Sequence, residues 1–338
     1  MLNGKFDFCI VGAGPSGLTL AYKLLNAGKT GIVIERDERP GGLAKSYNYN
    51  GHIFDTGPKR FHTDDPKVLD FIIHVLEEDY VTIDRSTMVY FLNRYYNWPL
   101  TTKDVFKLPI RTSIKCFSDL LFKQELKDKN SFSDYVKAKY GNTLYNLFFE
   151  PYTKKFLQWE PSDIHSDWAS TGINRTTIDS RIKKDTLFDL LKHLTLPEKI
   201  KTEFIYPTYG GFGDFFDKLF SLCKANKGFQ YSFSDQITKI TKIKDDFELV
   251  TQKNNKIYCS DLIWSGNLND LSKLIDCDET HLNYLNTIFY NIICKDEGIN
   301  PKYKSQWIYV SKGDSLISRI TCMKEFSPTT TPEGYYNF

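Results

Sequence analysis

Residues Gly12-Ala13-Gly14-Pro15-Ser16-Gly17 have the spacing GxGxxG, and Glu35 closes an apolar run about twenty residues further on. In the order strand, glycine turn, helix, strand, acid, these residues make a unit suited to binding a dinucleotide. Gly12 permits a tight turn, Gly14 lets the backbone approach a pyrophosphate, and Gly17 lets the helix pack on the strand. A helix beginning at Pro15 and Ser16 offers N–H groups without intrahelical partners and a partial positive charge. The Glu35 carboxylate can accept hydrogen bonds from ribose hydroxyls. A second glycine pair, Gly41-Gly42, follows in Arg39-Pro40-Gly41-Gly42-Leu43-Ala44 and lets backbone pass close to a ligand again.

The elements that must position these groups are legible in the pattern. Phe6–Val11 has strand length. Leu18, Ala21, Tyr22 and Leu25 recur at helical spacing with Gly28 as a stop, and residues 31–35 read as a second buried strand. A helix is expected over residues 66–76, capped by Asp64 or Asp65. Residues 90–100 read as a hairpin with a short polar turn, and residues 102–146 are helix-patterned with Ser131 or Ser133 as caps. Gly210, Gly211 and Gly213 precede a helix running to about Cys223, whose N-terminus could hold an anion or simply pack. An alternating β series follows over 230–233, 236–244, 247–252 and 256–258, with turns at Asp245-Asp246 and Asn254-Asn255. Residues 261–267 then return as a separate buried strand ending in small residues.

These segments carry a resemblance. GAGPSG, the acid-ended strand and Glu35-Arg36 four residues before Gly41-Gly42 resemble the FAD-binding start of the flavin amine oxidase and protoporphyrinogen oxidase superfamily. Phe54-Asp55-Thr56-Gly57-Pro58-Lys59-Arg60-Phe61-His62-Thr63 resembles a segment of the oxidase-like proteins of polysaccharide clusters and of the UDP-galactopyranose mutases. Gly141 to Lys155 resembles a G-x-x-LY-x-x-FF-x-x-YT-x-K block of both groups, continued by Asp167-Trp168-Ala169 and Ile173-Asn174-Arg175.

The resemblance implies an α/β fold: a Rossmann-like FAD-binding domain with an inserted β-meander and a mostly helical substrate domain. The expected blocks are residues 1–85, 86–205 and 206–338. It implies FAD as cofactor, held by Gly12, Gly14, Pro15, Ser16, Gly17, Glu35, Arg36, Gly42, Leu43 and Ala44. The loop Gly57-Pro58-Lys59 would run along the flavin ring, with the Ile237 backbone near the adenine and Gly266 near the cofactor. Lys59, Arg60 and Arg175 are the candidate catalytic residues. Arg175, with Arg181 as the alternative, would meet a sugar-nucleotide diphosphate, to which a planar guanidinium is suited as a bidentate donor.

Two positions depart from the mutases, which have His where this chain has Lys59 and Trp where it has Phe156. Lys59 could stabilise negative charge developing on a reduced ring. The superfamily also completes its flavin site with a C-terminal glycine-bearing strand-to-helix turn, which residues 329–338 do not match. A partner or further segment completing the site is therefore expected. Three readings follow: an FAD-dependent oxidoreductase acting on a small molecule such as a nucleotide sugar, a UDP-galactopyranose mutase, and a truncated relative that binds FAD without catalysis; Lys59, Phe156 and the unmatched end favour the first and third over the mutase.

Composition narrows the classes. Across 338 residues the hydrophobic share is 41% and the charged share 25%, the usage of a globular chain. A net charge of +2 gives no global basic field for nucleic acid. Apolar runs are too short for a membrane-spanning helix. The seven cysteines are scattered without zinc spacing, and the six histidines have no ligand-like spacing. With Asp7 interrupting the first apolar stretch, these features lead to the expectation of a cytosolic protein with reduced thiols and no metal.

Overall fold

The computed structural model describes residues 4–98, 107–122, 125–169, 203–275, 277, 282–300, 304–311 and 315–338. Two compact units are present. The first comprises Met1–Ile83, Phe204–Cys294 and Phe326–Asn337; the second comprises Asp84–Glu203 and Lys295–Glu325, with Phe338.

A six-stranded sheet forms the heart of the first unit. Its spatial order is Ile237–Ile243, Asp246–Thr251, Lys256–Trp264, Gly4–Val11, Gly31–Ile34 and Phe229–Ser232. The last four strands run parallel, and the first three form an antiparallel meander. Parallel strands lie covered on both faces and so read as continuous apolar runs. Phe8, Cys9 and Ile10 are accordingly all buried, as are all four residues of Gly31–Ile34. The helix Pro15–Asn26 turns Gly17, Leu18, Ala21 and Leu25 inward. Phe6, Cys9, Val11, Ile32, Ile34, Ile237, Leu249, Ile257 and Cys259 make one core cluster.

The return strand departs from expectation. Residues 256–258 and 261–267, read as separate strands, are one strand, Lys256–Trp264. Cys259 is the last residue paired in the meander, with Phe247, but the ladder to the first strand runs on from Phe6–Cys259 to Phe8–Asp261 and Val11–Trp264 and carries the strand through Ser260-Asp261. Ser260 stays extended and donates its hydroxyl to Asp246 Oδ1 at 3.0 Å. The polar pair therefore marks an exposed stretch of strand instead of a turn.

The helix Pro66–Leu76 is capped by Asp65, whose Oδ1 accepts the Lys67 N–H at 2.9 Å. Phe326–Asn337 packs within the first unit. Asn337 Nδ2 donates to the carbonyls of Ile53 at 2.7 Å and Thr330 at 2.9 Å, and Ser327 Oγ donates to Thr208 at 2.8 Å.

The second unit mixes helices with a four-stranded sheet of order Arg319–Thr321, Trp307–Val310, Thr87–Phe91 and Arg94–Asn97. The hairpin turns on Leu92 and Asn93, both at positive φ (51° and 56°), the handedness that suits the twist of paired strands. Residues 295–325 bring Trp307–Val310 beside Thr87–Phe91 in this unit. Within the helix-patterned stretch, Ile110–Leu121 and Phe132–Tyr140 are separate helices; the second is capped by Ser131 and ends at Gly141 (φ 84°). The core gathers Val89, Phe91, Tyr96, Trp98, Phe132, Val136, Phe148 and Phe149.

Candidate cofactor-binding site

The glycine turn sits at the carboxyl end of the first strand. Gly12 adopts φ +105°, and its N–H donates to Ile34 at 2.8 Å. A Cβ there would stand 2.6 Å from Ser265 Oγ, and one on Gly17 would stand 2.0 Å from the Gly12 carbonyl oxygen. Ser265 Oγ lies 3.0 Å from the carbonyls of both Val11 and Gly12 and can donate to either. Ser265 thus ties the end of the return strand, next to Gly266, to the turn; sequence reasoning passed over it, its one signal being a small polar residue where a buried strand ends. Gly14 is the N-cap of the helix Pro15–Asn26. No side chain caps that end, and no acid stands in the first turn. The N–H groups and the positive end of the dipole are left for an anion.

The second glycine pair lies directly against the first. Gly41 and Gly42 both have positive φ (109° and 54°), and the Gly41 N–H donates to Ala13 at 2.8 Å. A Cβ on Gly42 would stand 3.0 Å from Gly14 Cα. Two backbones therefore meet where side chains would fill the space. The single turn Gly42–Ala44 carries Leu43 outward, 82% exposed, and Ala44 inward. Lys45, whose ammonium pairs with Asp37, is 5% exposed beneath this turn, a buried cation the sequence pattern did not single out.

Glu35 is 7% exposed and joins both loops: Oε2 accepts the Ala13 N–H at 2.6 Å and Oε1 the Asp37 N–H at 2.9 Å. A carboxylate has about four lone-pair sites, so capacity remains for ribose hydroxyls. Its main-chain oxygen accepts the Asp235 N–H at 3.0 Å. Asp235, also missed, is buried and accepts from Ser232 Oγ, the N–H groups of Gln236 and Lys253, and Asn255 Nδ2 at 2.9–3.3 Å. That acid fixes the start of the meander and with it the buried Ile237. Arg36 is exposed, its guanidinium 4.0 Å from Asp270.

The strand His52–Asp55 leads into the loop Gly57-Pro58-Lys59-Arg60. Asp55 is buried and accepts from Ser46 Oγ, from Tyr206 OH at 2.8 Å and from the Phe212 N–H at 3.1 Å. Gly213 donates its N–H to Ser46 Oγ at 2.7 Å. These two N–H groups stand at the start of the helix Asp214–Lys224, so the anion at that N-terminus is the protein's own Asp55. Burial pushes the Asp55 carboxyl up to about 6, opposed by its hydrogen bonds and by the charge of Lys59. Burial and the Asp55 charge push the Tyr206 phenol well above its ordinary range. Gly57 is buried with φ 85°. The Arg60 guanidinium lies 4.9 Å over the Phe204 ring, and His62 meets the same ring edge-on at 5.6 Å.

Gly12, Gly14, Pro15, Ser16 and Gly17 thus form one turn and helix start, which Gly42 meets through backbone and Glu35 through its carboxylate, with Ala44 in the same turn as Gly42 and Gly266 following Ser265. Gly57, Pro58, Lys59 and Arg60 form a loop anchored by Asp55. In the second unit, Phe156 stacks between Tyr152 at 5.9 Å and Trp168 at 6.4 Å. Arg175 and Arg181 lie outside the described residues. No cluster suited to a metal ion occurs among the described residues, and no helix among them is long and apolar enough to cross a membrane. The bare helix N-terminus, the approach of Gly14 to Gly42 and the spare acceptor capacity of Glu35 fit a dinucleotide's diphosphate and ribose.

Comparison with known proteins agrees with this geometry. Residues 10–74 match the NAD(P)-binding Rossmann-like domain family. The UDP-galactopyranose mutase of Mycoplasma pneumoniae is 42% identical over 71 residues, 20% of this chain and 18% of that protein. The chloroplastic/mitochondrial protoporphyrinogen oxidase 2 of Arabidopsis thaliana is 44% identical over 67 residues, 20% of this chain and 13% of that protein. The matched stretches thus span less than a fifth of either relative. A crystal structure of reduced UDP-galactopyranose mutase superposes with a TM-score of 0.78 at 19% identity, covering 98% of this chain and 73% of that one. Residues 10–74 therefore resemble an NAD(P)-binding Rossmann-like domain, the mixed α/β fold is shared with UDP-galactopyranose mutase, and the chain resembles the FAD amine oxidase-like superfamily.

Proposed function

We propose that the protein is an FAD-dependent oxidoreductase acting on a small molecule, with a nucleotide sugar as the substrate class. The observation that carries this reading is the backbone approach of Gly42 to Gly14, which doubles the glycine cradle of a simple nicotinamide-dinucleotide site. In this reading the helix start at Pro15 and Ser16 neutralises the cofactor diphosphate, Glu35 holds the adenosine ribose, and Ile237 borders the adenine. Leu43 and Ala44 follow the ribityl chain, and the loop Gly57-Pro58-Lys59 supplies a cation beside the ring. Arg60 steadies that loop, and Arg175 serves as a donor to a substrate diphosphate. When bound, FAD would supply a two-electron carrier. The seven cysteines are free, in keeping with a cytosolic protein. The test is to release the ligand of the purified chain by heat and identify it. FAD is expected; NAD alone would overturn the reading.

A second reading, a UDP-galactopyranose mutase, draws on the likeness to the reduced mutase structure. Lys59 and Phe156 weigh against it. Chemically reduced protein incubated with UDP-galactopyranose decides between the two, since only a mutase yields an isomeric nucleotide sugar.

A further inference from the structure

The helix Ile110–Leu121 of the second unit presents its apolar side outward. Ile110, Ile114, Phe117 and Leu121 recur at the spacing of a single helical stripe and are 74, 61, 46 and 46% exposed. Phe122, which follows, is 77% exposed. The opposite side turns toward the protein: Asp119 Oδ2 accepts the Thr143 N–H at 2.6 Å, and Cys116 is half-buried, with burial pushing its thiol up. An ordinary surface helix does the reverse, burying its apolar stripe and showing its charges.

A row of cations flanks the stripe on one side. Arg111 and Lys115 are both exposed and each follows a stripe residue, about 100° further round the helix. The helix's one acid, Asp119, is the residue turned inward. An apolar stripe beside a basic row is the pattern of a helix that lies in the plane of a membrane interface.

We propose that Ile110–Leu121 docks on an anionic lipid surface, with Ile110, Ile114, Phe117 and Leu121 at the acyl boundary and Arg111 and Lys115 among the headgroups. A second copy of the chain fits less well. A 12-residue helix is about 18 Å long. Its stripe with Phe122 would bury on the order of 500 Å² on each partner, short of the roughly 800 Å² of a stable pair. A bilayer requires no matching protein surface, and each cation near anionic lipid strengthens binding about fivefold. The proposal is independent of the flavin reading.

The full chain would be sedimented with vesicles of phosphatidylcholine alone or of phosphatidylcholine and phosphatidylserine in equal parts. Binding is expected on the mixed vesicles and at least about tenfold weaker on the neutral ones. Arg111→Glu with Lys115→Glu should reduce mixed-vesicle binding to the neutral level, and Ile114→Ser with Phe117→Ser should remove it, with circular dichroism unchanged. Phe117→Trp supplies a second readout, its emission shifting to the blue on mixed vesicles. Absence of both sedimentation and emission shift overturns the proposal, as does vesicle binding that survives both double substitutions. A concentration-dependent doubling of mass, lost in Ile114→Ser with Phe117→Ser and unaccompanied by vesicle binding, would overturn it in favour of a second copy.

Discussion

Glu35 Oε2 accepts the N–H of Ala13 at 2.6 Å, so the acid that ends the second strand closes the glycine turn at the end of the first. The other oxygen holds the Asp37 N–H at 2.9 Å, and the residue is 7% exposed. Glu35 therefore has a structural task before any ribose arrives.

Removing it should be felt in the ligand-free protein. Hydrogen bonds to charged groups contribute about 1.5–3 kcal/mol each, and a buried donor left without its acceptor adds a penalty. Glu35→Ala is expected to lower unfolding free energy by about 2–4 kcal/mol and to weaken FAD binding by roughly 10- to 150-fold. Glu35→Gln should recover part of both losses. Denaturant unfolding and flavin fluorescence titration measure the two effects, and an unchanged unfolding midpoint in Glu35→Ala would remove the structural role.

The Gly14–Gly42 approach predicts a contrast between two alanine substitutions. At Gly42 (φ +54°) a Cβ meets Gly14 Cα at 3.0 Å, whereas at Gly28 (φ +79°) it meets nothing within 4 Å. Both incur backbone strain of about 1 kcal/mol. Only Gly42→Ala also pushes the two backbones apart. FAD affinity should fall at least about tenfold in Gly42→Ala and stay unchanged in Gly28→Ala. Equal affinities in the two variants would contradict the cradle.

Asp55 predicts a pH dependence. Its carboxyl is raised from 3.8 to about 6, mainly by burial. Between those values the native protein keeps a proton that the unfolded chain has released. Stability from this group must therefore fall as pH rises through that window and level off above it. The whole loss across the window is about 3 kcal/mol at most. Asp214 and Asp217, also raised by burial, slope the same way, so the comparison is with Asp55→Asn. The gap between wild type and Asp55→Asn should change across the window in the direction of wild-type loss. Parallel curves of unfolding free energy against pH would refute it.

No mutase turnover is expected from the reduced chain, because Lys59 and Phe156 replace the His and Trp of the mutases. Chromatography of the nucleotide sugar after incubation checks this. Isomer formed at about 1 per second or faster, within the ordinary enzyme range, would show the weighting of those two residues to be mistaken.

The parts of the fold visible in the sequence are those governed by local chemistry. Gly12, Gly14 and Gly17 demand a turn against a strand, an aspartate at 64 or 65 before Pro66 caps a helix, and the alternation over 236–244 and 247–252 marks two strands. The parts not visible depend on partners distant in sequence. Ser260-Asp261 looks like a break until Phe6 and Phe247 flank Cys259. Ser265 is an ordinary small residue until it meets the Gly12 carbonyl. Asp55 is one residue of the segment that leads to Gly57, and nothing local says that Tyr206 and Phe212 will bury it. The start of the helix after Gly213, left open between an anion and simple packing, meets a side chain from the strand His52–Asp55, which periodicity alone could not identify.

The most direct measurement of the central claim is an equilibrium titration of the ligand-free chain with FAD, followed by displacement with excess NAD. The account predicts quenching of flavin fluorescence that saturates at one FAD per chain, loss of affinity in Glu35→Ala and Gly42→Ala, and little displacement by NAD. Ready displacement by NAD at equal concentration, or flavin binding indifferent to both substitutions, would contradict it.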